Sequence, residues 1–136
     1  MGRIKIKQRK CFYCEREVSR KPNIYCSFEC QMTNQYKNFI DRWLKNEVDG
    51  TRGVTISQHV RRYLHEINNK ACQTCGWSKI SLHTGKIPLE VNHIDGNYKN
   101  SIKENLELLC PNCHSLTKNY GSLNIGNGRP YKRVKK

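Results

Sequence analysis

Residues 89–97 read LEVNHIDGN and residues 105–114 read NLELLCPNCH. Ile87, Leu89 and Val91 alternate with other residues, so 87–93 is expected to form a half-buried strand, and Asp95-Gly96-Asn97 is expected to turn the chain after it. Pro111 suits the first turn of a helix, which would carry Cys113, His114 and Leu116. The order is strand, loop, helix, with His93 at the end of the strand and His114 on the helix.

Working outward, the stretch ends on the pair Cys110/Cys113, and Cys72/Cys75 stands upstream of it. Two further pairs, Cys11/Cys14 and Cys26/Cys30, bring the total to eight cysteines. Three pairs are C-x-x-C and one is C-x-x-x-C, spacings that let one turn aim two sulfurs at a common point. Two such turns complete a tetrahedral zinc site. Thiols inside cells stay reduced, so zinc is favoured over a secreted disulfide framework. The expectation is two structural Zn2+ ions, the first on Cys11, Cys14, Cys26 and Cys30 and the second on Cys72, Cys75, Cys110 and Cys113. Phe12, Tyr13, Tyr25 and Phe28 sit beside the first set of ligands and could cover it.

The chain has 136 residues, 36% of them hydrophobic, which suits one or two small domains with thin cores that metal can staple. No apolar run is long enough for a bilayer, and the basic start at Arg3 and Lys5 lacks the apolar stretch of a signal peptide. The expected location is therefore the cytoplasm of a bacterial or phage-infected host cell, with no membrane partner. The formal net charge is +14. Two zinc ions on eight thiolates bring four positive and eight negative charges, leaving about +10. The surplus lies at the ends. Arg3, Lys5, Lys7, Arg9 and Lys10 precede the first acid, Glu15, while Lys118, Arg129, Lys132, Arg133, Lys135 and Lys136 follow the last, Glu107. Basic arms on a small zinc protein point to a polyanion, nucleic acid above all.

Three parts are expected: a basic arm, finger and helix over 1–50, the second metal unit over 51–120, and a basic, extended tail over 121–136. Ser27 reads as the N-cap of a helix running into the forties, with an apolar stripe of Tyr36, Ile40, Trp43 and Leu44. Gly50 to Thr55 reads as a linker. Ser57 caps a second helix that stacks Val60, Leu64 and Ile67 for packing, with Arg61 and Arg62 pointing elsewhere as candidate phosphate contacts. His59, His65 and His83 read as surface or packing residues, with phosphate contact an option for His83.

The two quoted stretches, with their flanking C-x-x-C pairs, resemble the zinc-bound branch of the HNH endonuclease family, of phage or mobile-element type. The resemblance spans about residues 57–130, including Ser115-Leu-Thr117 and Gly126-Asn-Gly-Arg129, and the N-terminal finger resembles those attached to such nucleases. It implies a small α+β fold: a zinc-stapled strand-loop-helix unit of the ββα-metal, treble-clef-like kind, plus the finger and connecting helices. The first, middle and last motif positions fall on His93, Asn105 and His114. Their implied roles are general base for His93, loop-holding amide for Asn105, and ligand of one divalent cation for His114. Mg2+ or Mn2+ is expected as that cation, with Ni2+ or Zn2+ also compatible with N and O donors. The residue before the base, where the family usually offers an acid or a histidine to the metal, is Asn92. An amide oxygen can ligate a hard cation but brings no charge, so Glu90, two positions back, or Asp95 could assist.

The implied function is hydrolysis of a phosphodiester in double-stranded DNA, as a nick or a double-strand cut, leaving a 5′-phosphate. A homing-type role is the first expectation, before packaging or restriction. The chain could act as a monomer or a homodimer. The alternative is a non-catalytic zinc DNA-binding protein on a decayed nuclease scaffold, which Asn92 favours and intact His93, Asn105 and His114 oppose. A zinc-scaffolded protein-interaction module fits the basic charge less well.

Overall fold

A computed structural model of the chain describes residues 9–18 and 23–130. The expected basic positions Arg3, Lys5, Lys7, Lys132, Arg133, Lys135 and Lys136 lie outside that range. The fold is small α+β, in two compact units, the first ending at Asp41 and the second beginning at Arg42. The last turn of the first helix thus belongs to the second unit, ahead of the expected boundary after residue 50.

In the first unit, β1 (Arg9–Lys10) and β2 (Glu17–Val18) pair antiparallel, Arg9 opposite Val18 and Lys10 opposite Glu17. The Cys11–Cys14 knuckle joins them. The Cys11 N–H donates to the Arg16 carbonyl at 2.7 Å and the Glu15 N–H to the Cys11 carbonyl at 3.0 Å. Helix α1 (Phe28–Leu44) starts where Ser27 Oγ accepts from the Cys30 N–H at 3.1 Å, so the expected cap is present and sets a metal-ligand position in the first turn. Phe12 meets Tyr25 edge-on at 6.2 Å, and the Lys37 ammonium lies 5.0 Å from the centre of the Tyr13 ring. Of the apolar stripe on α1, Tyr36, Ile40 and Trp43 are buried, while Leu44 stays 41% exposed.

The second unit is built on Trp43. Its indole N–H donates to the Ser101 carbonyl at 2.8 Å, and its ring meets Tyr63 edge-on at 5.7 Å. Gly50 to Thr55, expected as a linker, is instead the start of a hairpin: β3 (Thr51–Arg52) pairs with β4 (Thr55–Ile56) around Gly53, whose φ of 66° suits a tight turn. Gly50 is buried in the wall of the core. Its N–H donates to Ser101 Oγ at 2.9 Å, and Ser101 Oγ donates to Asp49 Oδ1 at 2.5 Å. Asp49 also accepts from the Thr51 N–H and Oγ1, both at 2.9 Å. Burial raises the Asp49 pKa, but these donors outweigh it and hold the carboxyl below its ordinary value.

Ser57 caps α2 (Gln58–Ile67) by accepting from the Val60 N–H at 3.2 Å, as the sequence implied. Val60 and Leu64 are buried together with Ile56, Leu89, Leu106, Leu108 and Leu109. Full burial of each aliphatic side chain contributes about 1.5–3 kcal/mol, enough in aggregate for a thin core and not for a large one. The next strand, β5, covers only Glu90–His93 rather than 87–93. Pro88 has no N–H to give a ladder, and the Leu89 N–H turns back to the Ile87 carbonyl at 2.8 Å. Among the described residues no helix is long and apolar enough to cross a membrane.

A Cβ added at Gly50 would sit 2.6 Å from the indole nitrogen of Trp43 and 3.0 Å from the Ser101 carbonyl oxygen. Ser101→Ala strands the Gly50 N–H in a buried position, a loss of about 1–3 kcal/mol. Both Ser101→Ala and Gly50→Ala are expected to lower Tm by several degrees in thermal unfolding followed by circular dichroism, at roughly 4–8 °C per kcal/mol for a domain of this size.

Candidate active site

Strand β5 (Glu90–His93) pairs antiparallel with β6 (Leu106–Leu109), with Asn92 opposite Glu107 and His93 opposite Leu106. A 3-10 turn, Lys103–Asn105, leads into β6, and α3 (Pro111–Ser115) follows it at once. Cys110 is both the end of this hairpin and the N-cap of α3: its Sγ accepts from the Cys113 N–H at 3.5 Å and its carbonyl from the His114 N–H at 2.9 Å. The upstream knuckle is tied to the same hairpin. Gln73 N donates to the Leu108 carbonyl at 2.8 Å, and Leu108 N returns to Gln73 Oε1 at 3.2 Å.

Each cysteine quartet gathers its four sulfurs within 4.8 Å of one another, and none is in a disulfide. A tetrahedral zinc ion about 2.3 Å from each sulfur requires sulfurs about 3.8 Å apart. Cys75 and Cys110 stand at 3.7 Å, Cys26 and Cys30 at 3.5 Å, and Cys14 and Cys26 at 3.4 Å. Both quartets therefore could hold zinc. Within the second quartet the thiols differ in acidity. Burial raises the Cys72 pKa, but backbone N–H groups, that of Cys110 first, bring it down to about 6. Cys113, sharing hydrogen bonds with the sulfurs of Cys75 and Cys110, is pushed up to about 12. A cation replaces that contest for protons with four thiolates.

His93 is half-buried, and its Nε2 is buried with no hydrogen-bond partner. Burial lowers its pKa, the Asp95 carboxylate opposes this and Arg129 reinforces it, so the neutral ring is favoured. Two donors fix the backbone behind the ring: the Gly96 N–H at 2.9 Å and Asn119 Nδ2 at 3.0 Å both reach the His93 carbonyl.

Asn105 is buried and spends its whole side chain on the loop after His93. Its Oδ1 accepts from the Asp95 N–H at 3.0 Å, and its Nδ2 donates to Asp95 Oδ1 at 2.8 Å and to the Asn100 carbonyl at 2.7 Å. Its own carbonyl accepts from Ile94 N at 2.9 Å. Asp95 also accepts from the Asn97 N–H at 2.8 Å and Asn100 Nδ2 at 2.6 Å. Its oxygens are thus committed to the loop, which leaves Glu90 as the carboxylate that lines the cleft.

Glu90 Oε2 meets Nδ1 of His114, and the His114 ring lies edge-on to Tyr120 at 5.2 Å. Asn92 is buried and donates from Nδ2 to Glu107 Oε1 at 2.8 Å, which leaves its Oδ1 as the atom available to a cation. Glu90, Asn92, His93 and His114 line one cleft of about 440 Å³, and Arg61 and Arg129 complete its wall. None of His59, His65 and His83 lines it. The candidate phosphate contacts on α2 separate: Arg61 faces the cleft, whereas Arg62 pairs with Glu66 at 2.7 Å.

The resemblance reached about residue 130, but sequence reasoning missed how the residues beyond position 118 pack. The segment expected as an extended tail makes a 3-10 turn, Gly121–Asn124, and lies against the His93 loop. Asn124 Nδ2 donates to the Gly96 carbonyl at 2.8 Å, and Tyr98 N reaches the Asn127 carbonyl at 3.5 Å. Gly96 holds φ at 76°, and a Cβ there would collide with the side chains of Asn124 and Asn119. The available signal was composition: asparagines spaced through a glycine-rich stretch are bonding groups for a loop backbone as well as marks of extension.

A strand pair, a pinned loop and a short helix thus bring His93 and His114 to one cleft. Residues 72–119, about a third of the chain, match the family model described as HNH endonuclease. The chain is similar to the H-N-H endonuclease F-TflIV of Escherichia phage T5, 49% identical over 55 residues that make up 40% of this chain and 23% of that protein. The match thus spans less than a quarter of that relative's length. No solved structure matches the chain significantly.

Metal analysis of the purified protein is expected to find two zinc equivalents. Cys110→Ser should lose one of them together with the near-ultraviolet signal of Trp43 packing, because Cys110 also caps α3. Cys26→Ser should lose one equivalent and keep that signal.

Proposed function

We propose that this protein is a metal-dependent DNA endonuclease, hydrolysing one phosphodiester per site in double-stranded DNA, with two structural zinc ions. The observation that carries this reading is the unpartnered Nε2 of a neutral-favouring His93 in the same cleft as His114 and Glu90. The His93 ring takes the proton from the attacking water. Asn105 holds the loop so that the ring stays aimed, and Asn119 and the Gly96 N–H fix the carbonyl behind it. His114 and the Asn92 amide oxygen would hold one divalent cation, and the Glu90 carboxylate supplies the charge that Asn92 lacks. When bound, that cation neutralises charge on the phosphate and on the leaving oxygen. A nitrogen, carboxylate and amide donor set suits Mg2+ or Mn2+ and tolerates Ni2+ or Zn2+. The products are a 5′-phosphate and a 3′-hydroxyl.

The same reading divides the labour along the chain. The quartet Cys11, Cys14, Cys26 and Cys30 builds an accessory finger for DNA contact. The quartet Cys72, Cys75, Cys110 and Cys113 holds the frame of the cleft. A four-thiolate site has no open position for water, so the zinc ions do no hydrolysis. The setting is the interior of a phage-infected or bacterial cell, in a homing-type role. A non-catalytic DNA-binding protein is the second reading, favoured by the uncharged Asn92 already engaged with Glu107.

Zinc-loaded protein given Mg2+ or Mn2+ is expected to relax supercoiled plasmid, and withholding that cation or substituting His93→Ala should slow relaxation by at least 100-fold, the usual scale for a general base (roughly 10²–10⁴). Binding without nicking under every cation sinks the nuclease reading. Nicking that survives His93→Ala removes His93 as the base.

A further inference from the structure

We propose that Arg61 and Arg129 form a two-guanidinium grip for the DNA phosphate at the cleft, one contributed by α2 and the other by the segment after Tyr120. This rests on the nuclease reading of the cleft and assigns the substrate-positioning groups that reading lacks. Both residues lie outside 72–119, the segment the family model matches, and neither is one of the three motif positions, although both fall within the wider 57–130 stretch of the resemblance.

Three observations converge. First, both side chains line the cleft that holds His93, Asn92 and His114. Second, among the described residues neither guanidinium has a carboxylate partner, although acids elsewhere are used: Arg62, next to Arg61, is paired with Glu66, and Arg42 lies 3.7 Å from Glu47. The single carboxylate on the cleft wall, Glu90, is turned to His114. Third, the approach of Arg129 to the site is built. Asn124 bonds the Gly96 carbonyl, Tyr98 N bonds the Asn127 carbonyl, and Gly128 lines the cleft just before Arg129. The charge of Arg129 is felt at His93, where it disfavours the imidazolium. Arg61 is half-buried on the third position past the capped start of α2, so its stem is fixed by a helix rather than a loop.

A planar guanidinium meets two phosphate oxygens at once, so a pair of them fixes orientation as well as charge. A cation near a base also keeps it unprotonated before the water's proton arrives. The two guanidiniums put positive charge on the cleft wall, an anchor for a phosphodiester that does not depend on His114 or Asn92.

The test uses full-length, zinc-loaded protein and Arg61→Gln, Arg129→Gln, Arg61→Lys and Arg129→Lys, with two readouts: binding to a DNA duplex against salt without added Mg2+ or Mn2+, and plasmid nicking with Mn2+. Each glutamine variant should reduce the slope of log affinity against log salt by about 1. Each should also lower kcat/KM by about tenfold or more, the loss expected for a charged hydrogen bond. The lysine variants should recover the salt slope and only part of kcat/KM, because the charge returns without the fork. Unchanged slope and unchanged kcat/KM in both glutamine variants, in a wild type that nicks DNA, overturn the grip and leave the nuclease reading standing. A reduced slope in a wild type that nicks under no cation keeps the phosphate contact and overturns the nuclease reading. A lowered Tm with the wild-type slope marks a merely structural role and also overturns the grip.

Discussion

The gathering of Cys72, Cys75, Cys110 and Cys113 is the constraint on which the second unit depends. Two short strands, a five-residue helix and a knuckle do not bury enough apolar surface to hold one another. The cysteines join them where the chain changes direction. Cys110 ends β6, caps α3 and offers a sulfur, and the residue after Cys113 is His114. Any ligand held by the four sulfurs therefore sets the angle between the hairpin and the helix, and so the distance from His93 to His114. Gln73 ties the other knuckle to Leu108, one of the most deeply buried side chains, so the cluster and the hydrophobic core brace the same strand.

On that frame a second, polar layer sets the loop. Asn105, Asn119 and Asn124 come from three separate places in the chain and together satisfy backbone groups from His93 to Asn100. Uncharged amides suit this task, since each can donate and accept without adding charge beside His93, whose neutral ring is favoured. Gly96 is required at the centre, where a positive φ and the two asparagine side chains leave no room for a Cβ. The layer bonds the backbone behind His93, whose Nε2 stays buried and without a hydrogen-bond partner.

Much of this was legible in the sequence where one residue carries one strong local preference. Ser27 and Ser57 as helix caps, Pro111 in a first turn, and cysteine pairs at knuckle spacing each act over a few residues. His93 and His114 could be singled out because the motif between the cysteine pairs is dense. What escaped depends on tertiary partners. Gly50 read as a breaker, yet its missing side chain is what admits Trp43 and Ser101, residues 58 positions apart in their own hydrogen bond. The stretch after Tyr120 read as an extended tail because its asparagines and glycines mark bonding capacity without naming the loop they bond. Glu90 and Asp95 looked alike as acids near His93, and only the pattern of donors separates a loop former from a neighbour of His114.

The central claim is that one cleft brings a free imidazole nitrogen and a cation site to the same phosphate. The most direct measurement is anomalous scattering from a crystal of the zinc-loaded protein soaked in Mn2+. The account predicts one manganese peak within ligand distance of His114 and of an oxygen of Glu90 or Asn92, on the cleft that His93 lines, in addition to zinc peaks in the two cysteine quartets. A protein that cleaves DNA with Mn2+ yet binds no manganese at His114, or binds it away from that cleft, would contradict the account.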